Sequence, residues 1–138
     1  MIRATKRDGF ASYVSFRSRC EEAKLADGEY KLQLQQVRNN AARLFKAAPE
    51  PMKAFQTLVT ASSKEGTLTV RHKELIALAI AVATRCEGCI VHHVEAARRH
   101  GATREEVAET IAVAVEMGGG PATVYGATAL AAFDEFAA

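Results

Sequence analysis

The chain has 138 residues, and 49% of them are hydrophobic, which suits one domain with a substantial core. Its 18 basic and 16 acidic residues leave a net charge of +2 with no dense basic run, so a nucleic-acid surface is not the reading they support. The basic N-terminus lacks the apolar stretch of a secretory signal, and the longest apolar run, Leu75 to Ala83, has nine residues against the roughly 20 of a membrane span. A soluble, cytoplasmic protein with no membrane contact is therefore expected.

Strand signals are poor and helix signals recur along the chain. Residues 1–28 are polar and mixed in charge. They read as an arm, or as a short helix around Tyr13 to Lys24. Cys20 lies there as a free thiol. Leu34, Val37, Ala41, Leu44 and Phe45 fall three or four apart and predict a helix over Glu29 to Ala47. Pro49 and Pro51 end it and start the next, from Pro51 to Ser62, with Met52, Phe55, Leu58 and Val59 on one side. Thr69 N-caps a helix over Val70 to Ala83. That segment is apolar nearly all round after Glu74, so burial on every side is expected.

Thr84 and Glu87 fit a capping box, which predicts a helix from Arg85 to His100 closed by Gly101. Thr103 and Glu106 form a second box, opening a helix to Met117. Gly118-Gly119-Gly120-Pro121 breaks the chain before a last helix from Pro121 to Glu135. The fold class expected is all-α, a bundle of about six helices over residues 29–138. The last three helices carry more small and apolar surface than one small domain covers from within, which predicts a homo-oligomer.

There are three cysteines, and two of them form Cys86-Glu87-Gly88-Cys89. In an intracellular chain this spacing points to redox chemistry or metal rather than to a disulfide framework. If both lie in the helix that Thr84 opens, Cys86 and Cys89 sit about 60° apart and His93 about 40° from Cys89. All three then share one face, with His92 the poorer partner. A helix N-terminus favours a thiolate, and a nearby imidazole takes the thiol proton. The second cysteine can capture an oxidised first one as a disulfide, strained if both belong to the helix. Glu74 is a lone acid in an apolar stretch. Either it meets the helix dipole or it packs beside His93 and orients it. His72, His100 and Tyr125 read as surface, terminus and packing residues.

The stretch from Lys73 to Tyr125, with Glu74, Cys86, Cys89 and His93 in register and the segments GAT and GGGP after them, resembles the alkylhydroperoxidase D-like branch of the carboxymuconolactone decarboxylase family. The resemblance implies an all-helical fold and a thiol peroxidase or disulfide reductase that reduces alkyl hydroperoxides. It implies that Cys89 is the peroxidatic thiolate, with proton transfer through His93 towards Glu74. Cys86 would be the resolving cysteine, the one that a lipoyl- or thioredoxin-type reducing partner reaches. Hexamers or trimers are implied as well, and no cofactor. Where related peroxidases carry a second histidine just before the second cysteine, this chain has Gly88. The cysteine pair argues against lactone decarboxylation. A non-catalytic redox-sensing or scaffold oligomer is the main alternative. A metal centre is disfavoured, because side chains on one face of one helix do not surround a tetrahedral ion. The GGGP run follows a helix, so no dinucleotide fingerprint is met.

Overall fold

The computed structural model describes residues 28–138 as six helices. They are α1 (Glu29–Ala47), α2 (Pro49–Ser63), α3 (Val70–Ala83), α4 (Glu87–Arg99), α5 (Arg104–Gly118) and α6 (Gly120–Ala137). The expected all-α bundle is observed. The helix expected at Tyr13 to Lys24, and Cys20 with it, lie outside the described residues.

Helix α3 is the axis of the bundle. It packs against α4, α5 and α6, and α6 also lies against α4 and α5. Leu78 and Val82 from α3, Ile90, Val91 and Val94 from α4, and Val107 from α5 are fully buried between them. Small residues let the last two helices approach. A Cβ on the buried Gly126 of α6 would lie 2.5 Å from Ile111 Cγ2 on α5, closer than packed carbons allow.

The N-terminal half of α1 rests on α4 and α6 through Tyr30 and Leu34. Gly28 precedes it with φ 105° and no side chain to cap it. Glu135 from α6 fills that role across the bundle, its carboxylate accepting from Lys31 N–H at 2.8 Å and Tyr30 N–H at 3.2 Å.

The rest of the apolar stripe on α1 finds little to pack on. Leu44 is exposed, and α2, which packs chiefly on α1, has no buried residue. Lys73 reaches back from α3 and donates to the carbonyls of Ser62 and Lys64, supplying the cation that the C-terminus of α2 lacks.

Three expectations need correction. First, α3 is not buried on every side: Ile76 is 49% exposed and Ile80 58%. Three helices cover the other faces, and among the described residues this one stays open.

Second, Thr84 does not open α4. It is the C-cap of α3, and its hydroxyl turns back to the carbonyl of Ile80 at 2.8 Å. Cys86 N–H donates to Ala81 O at 3.0 Å and Arg85 N–H to Val82 O at 3.2 Å, the paired bonds of a Schellman turn. The same pairing ends α4, where Ala102 N–H reaches Ala97 O and Gly101 N–H reaches Arg98 O, both at 2.9 Å. Gly101 takes the left-handed position there with φ 84°, and Arg85 takes it here with φ 60°.

Third, α2 and α6 begin earlier than Pro51 and Pro121, at Pro49 and Gly120, so that Gly119 alone separates α5 from α6. Proline tolerates the first helical turn, where its missing N–H is not needed.

A left-handed arginine is strained where glycine is not. Arg85→Gly is expected to raise stability by up to about 1 kcal/mol, read by urea or thermal unfolding. An unchanged or lower midpoint would show that the Arg85 side chain offsets its backbone strain by contacts of its own.

Candidate redox site

Because Thr84 ends α3, the N-cap of α4 is Cys86, in extended conformation with φ −93° and ψ 90°. Its carbonyl accepts from Ile90 N–H at 2.9 Å and starts the helix. Cys89 is therefore the third helical residue. N-cap and third helical residue are the two positions that a capping box links, each side chain reaching the backbone N–H of the other. At the start of α5, Thr103 and Glu106 fill them with a reciprocal box. At the start of α4 two sulfurs fill them, joined as the Cys86–Cys89 disulfide, with Cα atoms 5.2 Å apart.

This replaces the expectation that both cysteines lie inside the helix. The premise for strain in the bridge goes with it, since Cys86 stands outside the helical turn. The helical argument for one shared face holds for Cys89 and His93 alone. The site still sits at a helix N-terminus, where free N–H groups and the dipole favour a thiolate.

His93 lies two turns into α4, facing α3. Its Nδ1 is 2.7 Å from Glu74 Oε2, in a partly buried contact between residues 19 apart in sequence. Glu74 is the fifth residue of α3, and no acid occupies the first turn of that helix. Of the two readings of Glu74, the geometry selects the partner of His93. The hydrogen bond from His93 holds the Glu74 carboxyl below the usual carboxylate range, against the desolvation that would raise it. The positive fields of His93, His92 and His100 act in the same direction as the hydrogen bond.

The structure thus joins the four expected residues into two contacts, Cys86 with Cys89 and Glu74 with His93. Cys89 is exposed in the single chain and Cys86 half-buried. A pocket of about 400 Å³ opens beside the second contact, with Glu74 and His93 on its wall and Val59, Ile76, Ala77 and Ile80 as its apolar lining. Gly88 packs on α1. A Cβ there would lie 3.3 Å from Val37 Cγ2, so the helix that covers this turn leaves little room for a side chain at position 88.

Two residues matter more here than their sequence context suggests. Lys73 holds α2 over the pocket. His92 puts its ring edge-to-face on His93, with centroids 5.0 Å apart and planes at 83°. The spacing of His92 from Cys89, one turn on, was the available signal. The contact with His93 needed coordinates. His72 keeps to its own helix start, with Nδ1 2.7 Å from Thr69 Oγ1. Tyr125 packs, partly buried, on the core.

The lowered carboxyl pKa of Glu74 gives a sign for acid stability. A depressed folded pKa adds stability that is present above the unfolded value of roughly 4.3 and lost as the pH falls through the folded one. Unfolding midpoints of the wild type are expected to drop below about pH 5 more steeply than those of Glu74→Gln. Parallel curves would mean that the Glu74–His93 contact adds no stability of its own.

The sequence profile of the carboxymuconolactone decarboxylase family matches residues 49–133. An uncharacterized protein of Cupriavidus necator is 42% identical over 106 residues, 77% of this chain and 94% of the relative. An uncharacterized protein of the cox locus of Paracoccus denitrificans is 46% identical over 82 residues, 59% of this chain and 74% of its own length. The fold is similar to the crystal structure of a carboxymuconolactone decarboxylase family protein from Legionella pneumophila, with TM-score 0.77, 42% identity, and 80% and 99% of the two chains covered. It is also similar to a family protein of Thermotoga maritima suggested to take part in an antioxidative response, with TM-score 0.68, 26% identity, and 74% and 87% covered. On the profile match and on the length and identity of these alignments, the chain belongs to the carboxymuconolactone decarboxylase family.

Proposed function

We propose that the protein is a thiol-dependent oxidoreductase that reduces hydroperoxides, or disulfides, through Cys86 and Cys89, with Glu74 and His93 handling the protons. The observation that carries this reading is the cysteine pair at a helix N-terminus, on the same helix as an imidazole that a carboxylate holds at 2.7 Å. His93 takes the Cys89 proton, and Glu74 stabilises the imidazolium that results. The Cys89 thiolate attacks the terminal oxygen of the hydroperoxide. The O–O bond breaks, the alcohol leaves with the proton from His93, and Cys89 becomes a sulfenic acid. Cys86 then attacks that sulfur, the S–S bond forms, and water leaves with the Cys86 proton. A dithiol partner of lipoyl or thioredoxin type restores both thiols by exchange. The suggested antioxidative role of the Thermotoga maritima relative agrees with this chemistry.

The exposure of Cys89 opens it to either reagent, so the entry point of the reductant is a question for trapping. Intact mass after a small excess of an organic hydroperoxide tests the reading. The wild type is expected to lose two hydrogens. Cys86→Ser is expected to hold a sulfenic acid on Cys89, and Cys89→Ser to lose the activity altogether. Thiols that survive peroxide treatment unchanged would overturn the peroxidase reading. A mixed disulfide with the reductant on Cys89 rather than Cys86 would reverse the proposed entry point.

The partner surface in this proposal is a second copy of the chain. Phe55 and Leu58 on α2, Ile76 and Ile80 on α3, and Val113 and Met117 on α5 are exposed apolar side chains, and Ile76 and Ile80 line the pocket. Such surface is more than a monomer usually leaves to water. Light scattering is expected to give a mass well above one chain, and Ile80→Glu to shift it towards the monomer. A wild-type monomer would sink this part of the proposal.

A further inference from the structure

Reducing a hydroperoxide with two thiols moves two protons: the hydroperoxide and the two thiols become an alcohol, water and a disulfide. The Glu74–His93 pair accounts for one imidazole. His93 is committed through Nδ1 to Glu74, and no side-chain hydrogen bond among the described residues engages His92. Yet His92 stands one helical turn after Cys89, as His93 does. Residues three and four apart on a helix are surface neighbours, about 5–6 Å between Cβ atoms. The N-cap position of Cys86 leaves this part of the helix geometry intact, because Cys89, His92 and His93 all lie within α4.

We infer that His92 serves Cys89 as a second proton-exchanging side chain, between the thiol and solvent, in parallel with the His93–Glu74 pair. This rests on the redox reading of the cysteine pair and adds a second proton-handling residue to it. Two observations carry it. His92 lies in direct ring contact with His93, so the two imidazoles form one cluster over the turn that carries Cys89. It is exposed, and so exchanges protons with water, whereas His93 is partly covered and tied to Glu74. The groups that act on it come from each neighbouring side: Arg38 on α1, Glu74 on α3, and His93 and Glu95 on α4.

Packing round the ring and the positive field of His93 hold the His92 pKa below the usual imidazole value, with Glu74 opposing them. Near neutral pH the ring is then an uncharged acceptor. A protonated ring one helical turn from Cys89 favours the thiolate.

The test uses the full chain with Cys20→Ser, and the same form with Cys86→Ser, in which Cys89 is the only thiol. Alkylation of Cys89 by iodoacetamide is followed from about pH 5 to pH 9, spanning the ordinary imidazole and thiol values. The rate is expected to show a thiol inflection and a lower one from an imidazole. His92→Asn should weaken the lower inflection and slow alkylation near pH 7 by about ten-fold, and the double variant with His93→Asn should abolish it. His93→Asn should leave the lower inflection in place. An unchanged profile in His92→Asn, or an inflection that only His93→Asn removes, overturns the assignment. Intact mass on the Cys20→Ser form separates this from the parent reading. If peroxide removes no hydrogens there, the redox reading fails and this one with it. If the pair cycles and the profile does not change, only the role of His92 is lost.

Discussion

The Schellman turn between Ala81 and Cys86 is the constraint on which the site depends. Two backbone bonds, Cys86 N–H to Ala81 O and Arg85 N–H to Val82 O, end α3 and reverse the chain within three residues. A reversal this tight lays α4 back along α3. Glu74 then lies about 15 Å before the turn and His93 about 10 Å after it at the helical rise, a difference that two long side chains span. The same turn leaves Cys86 extended at the N-cap, which is what lets its sulfur face Cys89. A helix begun one turn earlier would have carried both cysteines into its interior. The strained Arg85 conformation, with φ 60°, is part of this arrangement.

The bundle makes the turn rigid from behind. Val82, Ile90, Val91 and Val94 are fully buried on either side of it, so neither helix end shifts without opening the core. Glu74 sits at the edge of that packing. It is covered enough to need a partner and open enough to exchange a proton with a pocket. The hydrogen bond from His93 outweighs its desolvation, so the carboxylate stays charged and fixes the imidazole.

The first two helices follow a different logic. Only the start of α1 belongs to the bundle, held by Tyr30, Leu34 and the carboxylate of Glu135. From there the chain runs out into α2, which packs on α1 but has no buried residue in the described part of the chain. Lys73 returns the end of α2 to α3 beside Glu74, so one residue of α3 anchors the pocket wall and the next holds the imidazole. The apolar stripes on α2 and α3 are of the kind that a further surface covers, and among the described residues they remain open.

Periodicity and punctuation determined most of the elements. The bounds of α1 and α3, the Thr69 cap, the Thr103–Glu106 box and the closing Gly101 are all local features, and local features survive folding unchanged. The sequence also carried the cysteine pair and its histidine, because their spacing is set on one short segment. Its local capping signal pointed to Thr84 as the start of α4. The start fell to Cys86 instead because of how α3 ends against the core. Nor did the sequence decide that α3 would keep one face open, since apolar residues all round a helix say nothing of which neighbours arrive. The Glu74–His93 contact, the ring contact of His92, the reach of Lys73 to α2 and the loan of Glu135 to α1 join residues from different turns or different helices. Such contacts depend on where packed helices cross, and only the tertiary structure sets that.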